Sequence, residues 1–223
     1  MRPAPPLASL EQLLLGGALA PLTTHLVFLE CPAHVAAEGF RAWRGETGQE
    51  CGSARLAAPL QDVLGHLHPL RFDARRHLFV PTVGRWTAYF NNYPLGTNVD
   101  SVVPPLAGIL GVRAVQVTAG PLPDEGEELL EFTVFNPEGT GPVTGRSVGL
   151  RNTRGWWRFW RLGTPLPFED LAAYRDRRRK RRFTYDHLVA YSAALGLSPF
   201  DSTFYTPGQG AWLVSCGPRL LRL

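Results

Sequence analysis

Hydrophobic and polar positions along the chain change period twice, separating a helical start, a strand-rich middle and a helical end. Ser9 is placed to cap a helix over 10–19 with Gln12 in the capping-box position, and Gly16-Gly17 weakens its end. Residues 24–30 alternate as a strand, and Pro32 suits the first turn of a helix running to Trp43. The polar, glycine-containing stretch 45–53 predicts a loop. Pro59 then opens a short helix with Leu60, Val63, Leu64 and Leu67 on one face.

From His77 the period falls to two. Strands over 77–80 and 85–91 flank Pro81-Thr82-Val83-Gly84 as a hairpin, with Trp86, Ala88 and Phe90 on one face and Thr87, Tyr89 and Asn91 on the other. Ser101 caps a helix ending at Leu110, where Gly111 supplies the stop. Segments 112–118, 129–135, 146–151 and 156–162 predict four more strands, the last two joined by a tight turn. Helical spacing returns over 168–179 and again after Thr184, where Leu188, Tyr191, Ala194 and Leu195 share a face that Gly196 ends. Segments 198–205 and 211–215 predict a closing hairpin.

These elements add up to an α+β domain with a central, mostly antiparallel sheet flanked by helices. Its N-terminal third is expected to be helical, as is a segment near the C-terminus. The division that follows is a helix-rich region over 1–70, a candidate subdomain, and a sheet core with C-terminal helices over 71–223.

A hydrophobic content of 44% over 223 residues is enough to build a core. The stretch 7–20 carries Glu11 and Gln12 and is too short to span a bilayer, so neither a signal peptide nor a membrane segment is expected. Three cysteines in no paired spacing point to no disulfide framework or cysteine zinc site, and so to a reducing cytoplasm. The net charge of +4 is concentrated in the run 175–182, and Lys180 is the one lysine among 23 basic residues. That arginine bias suggests a high-GC bacterial coding background.

Candidate chemistry centres on the segment 155–161, Gly-Trp-Trp-Arg-Phe-Trp-Arg. Extended backbone puts Trp156, Arg158 and Trp160 on one face and Trp157, Phe159 and Arg161 on the other. With Arg177, Arg178, Arg179, Arg181 and Arg182 close behind, the first face is a candidate surface for a protein or a nucleic acid. A second candidate, for a small ligand, is the loop 89–100 with Tyr89, Asn91, Asn92 and Asp100.

Other motifs carry less. Gly145-Arg146-Ser147-Val148-Gly149 matches the nucleophile-elbow spacing, but a strand follows it where that motif needs a helix. His66, His68, Asp73 and His77 read as a linker rather than metal ligands, and the acids Asp124, Glu125, Glu127 and Glu128 as a solvated turn. No catalytic set, metal site or cofactor is therefore assigned.

The functional expectation is a non-catalytic bacterial protein that binds and neutralises a protein partner, in the manner of an immunity protein or antitoxin. The alternatives are nucleic-acid binding through the basic run and a small-molecule enzyme or sensor built on the 89–100 loop.

Overall fold

The computed structural model describes residues 6–97, 101–122, 126–135 and 144–218. Among these residues nine strands form one sheet: β1 (His25–Leu29), β2 (Gln49–Leu56), β3 (Arg76–Pro81), β4 (Thr87–Asn91), β5 (Ala114–Pro121), β6 (Glu127–Phe135), β7 (Thr144–Thr153), β8 (Trp156–Gly163) and β9 (Ala211–Pro218). Their order is β2-β9-β3-β4-β1-β5-β6-β7-β8, and every neighbouring pair is antiparallel. Strands β5 to β8 form a meander. The first strand sits mid-sheet, and the last is inserted between β2 and β3.

Among the described residues, four α-helices cover the two faces: α1 (Ala33–Glu46), α2 (Leu60–Gly65), α3 (Val103–Leu110) and α4 (Tyr185–Ala194). Alternation along each strand decides which side chain meets which helix. Leu26 and Phe28 of β1, Phe90 of β4, Val115 and Val117 of β5 and Phe132 of β6 join α2 and α4 in one core. Val27, Leu29, Phe79 and Tyr89 join α1 and α3 in the other. In α1 the buried positions are Ala33, Ala36, Ala37 and Phe40, the spacing of a single helical stripe. Gly39 allows α3 to approach, because a Cβ there would lie 2.5 Å from Leu110 Cδ2. Each large side chain buried this way contributes about 1.5–3 kcal/mol.

The α+β antiparallel architecture is as expected, but the helical N-terminal third is not. Residues 10–19 form two short 3₁₀ turns, Leu10–Gln12 and Leu14–Gly17, because Leu15 and Gly16 adopt positive φ angles of 55° and 63° that no helix accepts. The predicted loop 45–53 instead leads into β2, whose polar residues face solvent at a sheet edge. The segment 168–179 is likewise not a helix; it holds the 3₁₀ turn Ala173–Arg175 and is followed by another, Arg179–Arg181. Segment 198–205 forms no strand, and β9 pairs with β2 and β3 instead.

The cysteine expectation is also corrected. Cys51 of β2 and Cys216 of β9 stand directly opposite in register and form a disulfide, although 165 positions separate them in sequence. Spacing along the chain carries no sign of a pair brought together by strand order. With that bridge, the cysteine argument for a reducing compartment loses its premise. Closing so long a loop restricts the unfolded chain, so Cys51→Ser/Cys216→Ser should lower unfolding stability by about 2–4 kcal/mol. Urea titrations of the oxidised protein and the variant measure this. An unchanged midpoint would show that the β2 edge does not need the bridge.

Candidate functional site

Strand β8 is one outer edge of the sheet and, among the described residues, pairs only with β7. Trp157 and Phe159 turn inward and pack against the first core, and the Phe159 ring lies tilted against that of buried Tyr174, centroids 5.4 Å apart. Trp156, on the opposite face, is 82% exposed, and Leu162 is 61% exposed. Arg158 and Arg161 are exposed as well. Trp160 lies across β7, filling the space above Gly149, where a Cβ would meet the indole at 2.2 Å. Its Nε1 donates to Ser147 Oγ at 3.3 Å.

The basic run packs behind this strand. Arg179 donates to the Trp157 carbonyl at 3.1 Å, Arg182 sits 5.7 Å from the centre of the Phe159 ring, and Arg182 Nε donates to the Asp176 carbonyl at 2.8 Å. The turn holding Arg177, Arg178, Arg179, Lys180 and Arg181 is thus anchored beside Phe159, with these five side chains exposed. Structure therefore separates two features that the sequence placed on one surface: Trp156, Arg158 and Trp160 face one way, and the arginine turn is fixed to the other face.

A buried ion pair anchors the segment that leads into this turn. Arg146 of β7 and Glu169 are both fully buried, with Nε–Oε1 at 2.8 Å and Nη2–Oε2 at 2.5 Å. Arg146 also donates to the Leu162 and Gly163 carbonyls, each at 3.0 Å. Glu169 accepts from Tyr174 Oη at 2.8 Å and from the Leu166 N–H at 2.9 Å. The pair fastens the end of β8 and the segment after it to the sheet.

Trp160 borders a polar network. Thr133 donates to Ser147 Oγ at 2.9 Å, and Gln116 Nε2 lies 3.1 Å from Thr118 Oγ1 and 3.3 Å from Glu131 Oε2. His25 Nδ1 extends it to Thr118 at 3.0 Å. Ser147 is therefore a network member in mid-strand rather than an elbow serine. His187, on α4, belongs to the opposite face of the sheet. Alternation in β5, β6 and β7 was the signal for this network: Gln116 and Thr118, Glu131 and Thr133, Ser147 and Gly149 interleave with core residues.

The 89–100 candidate is mostly interior. Tyr89, Asn91 and Asn92 are buried, and Asp100 lies outside the described residues. Asn92 accepts from the Arg76 N–H at 2.9 Å and donates to the Pro69 carbonyl at 2.9 Å. Asn91 donates to Tyr89 Oη at 3.1 Å, and that hydroxyl lies 2.8 Å from His77 Nδ1. His77 Nε2 faces the Ala74 carbonyl at 3.1 Å, which can only accept, so the proton sits on Nε2 and Nδ1 accepts from Tyr89. Burial, with the charge of Arg44 second, holds the His77 pKa down to about 3. Burial raises that of Tyr89. Asp73 pairs with Arg71 and Arg75. Of the acidic group, Glu127 pairs with Arg151, Glu128 accepts from Asn152, and Asp124 and Glu125 lie outside the described residues.

A cleft that the sequence did not announce opens at one end of the sheet, where residues of β2, β3, β4 and β9 and the connection from α3 to β5 meet the start of α1. Its volume is about 970 Å³, and Arg55, Arg85, Arg113, Glu30 and Trp86 line it. Cys31 is also there, but it is buried, and burial pushes its thiol up to about 11. It is therefore not a neutral-pH nucleophile. Among the described residues no helix is long and apolar enough to cross a membrane, and no three His, Cys, Asp or Glu side chains gather as metal ligands.

Compared with protein families, curated proteins and solved structures, the chain matches none.

Proposed function

We propose that this chain is a non-catalytic protein-binding module that captures and sequesters an acidic protein partner along β8. The observation that carries this reading is Trp156, 82% exposed on an edge strand whose neighbours in sequence are the exposed Arg154 and Arg158. A large indole left in water costs the folded chain hydrophobic free energy, and such side chains concentrate interface energy when a partner covers them. Away from the Trp157 and Gly163 carbonyls, which accept from Arg179 and Arg146, the outer edge of β8 also offers backbone groups for pairing, as in binding by strand addition. Exposed Arg154 and Arg158, which flank Trp156, favour a partner segment rich in Asp and Glu.

The test is capture by the tagged full-length protein from cells carrying its gene, with and without nuclease. A stoichiometric acidic protein should survive nuclease, and Trp156→Ala/Arg158→Glu should weaken its binding at least about thirtyfold while leaving the melting temperature unchanged. Equal capture by the variant would reject this surface. Material lost on nuclease treatment would replace the reading with nucleic-acid binding, for which steep salt dependence is the signature.

A further inference from the structure

The cleft at the β1–α1 end is separate from the β8 surface, since none of its lining comes from residues 144–183. Its charge is unbalanced: Arg55, Arg85 and Arg113 face a single carboxylate, Glu30. Glu30 fixes two of the three. Arg113 donates Nε to it at 2.8 Å and Nη2 at 3.0 Å, and Arg85 forms an ion pair with it, Nε lying 2.8 Å from Oε1. Both guanidiniums also lie against Trp86, 5.6 Å from its ring centre for Arg113 and 5.9 Å for Arg85. These contacts orient the two groups but leave Arg85 Nη1 and Nη2 and Arg113 Nη1 without a partner among the described residues. Arg55 is held separately, by donation to the Gln209 carbonyl at 2.7 Å.

We propose that this cleft binds a phosphate-bearing small molecule. Pre-oriented guanidiniums with spare paired N–H groups match the several oxygens of a phosphate better than the two of a carboxylate. The start of α1 lines the same cleft, and its Pro32 cap has no side-chain acceptor on the first-turn amides, so more donors of the same sign are present there. A volume of about 970 Å³ admits a ligand of nucleotide size rather than a bare ion. Trp86 supplies an apolar wall, but its Nε1 is already committed to the Leu195 carbonyl at 3.0 Å. Recognition therefore rests on the arginines.

Calorimetric titration of the full-length oxidised protein with inorganic pyrophosphate, at constant ionic strength, tests the site. Saturable one-to-one binding is expected, with acetate failing to compete. Arg85→Gln, whose side chain is 64% exposed and so dispensable for folding, should weaken it at least about tenfold. Arg178→Gln, in the arginine turn, and Trp156→Ala/Arg158→Glu should leave it unchanged, which separates this site from the β8 surface. No saturable binding, equal affinity in Arg85→Gln, or an equal loss in Arg178→Gln would each overturn the assignment.

Discussion

Replacing Arg146 with Met should destabilise the fold by about 3–5 kcal/mol, because it leaves the Glu169 carboxylate buried without its counter-charge. Arg146 and Glu169 have side-chain exposures of 2% and 0%, so water cannot take over the lost partner's role. The loss has a second component: the carbonyls of Leu162 and Gly163 lose their donor, and the end of β8 loosens with them. Removing both charges together, in Arg146→Met/Glu169→Leu, should recover at least half of the loss, since the desolvated carboxylate is gone. Urea denaturation of the wild type and the two variants measures both effects. A single-variant loss below about 1 kcal/mol would mean that the pair is not the clamp described here.

The second large effect is on pH. His77 is neutral in the folded protein, its pKa held down from 6.5 to about 3 by burial first and by the Arg44 charge second. Between those values the unfolded chain binds a proton that the folded chain refuses. Stability is therefore fully present above about pH 6.5 and is lost as pH falls toward 3, by on the order of 4 kcal/mol from this group. Asp73, Asp170 and Asp201 are held low, chiefly by the Arg71 hydrogen bond, the Ala173 N–H and the Thr203 hydroxyl respectively. Their contribution is lost only as pH falls below about 3.8, so the slope from pH 6.5 to 4 isolates His77. His77→Gln, which keeps a donor for Ala74 and an acceptor for Tyr89, should flatten that slope. A slope unchanged in the variant would assign the acid sensitivity elsewhere.

Both effects arise at residues whose importance the chain states only weakly. Arg146 was read as part of a nucleophile-elbow match and His77 as part of a linker. Their roles depend on burial by partners distant in sequence: Glu169 is 23 positions from Arg146, and Tyr89 is 12 from His77. The arginine cleft is a stronger case. Arg55, Arg85 and Arg113 belong to β2, the β3–β4 turn and the connection from α3 to β5, and only the strand order brings them to one end of the sheet.

The sequence by itself determined most strands from β3 to β8, α1 to α4 in near-correct register, and the two faces of β8. These features depend on local spacing: period two for strands, a single stripe for α1, Thr184 and Gly111 at helix ends. Only the tertiary structure decided the rest. Residues 10–19 and 168–179 have helix-compatible patterns, but positive φ at Leu15 and the ion pair at Glu169 hold them in other conformations. The Cys51–Cys216 bridge, the polar network, the cleft and the separation of Trp156 from the arginine turn all follow from which strands lie side by side. That pairing is set by the combined burial of both sheet faces, and no local window of the chain contains it.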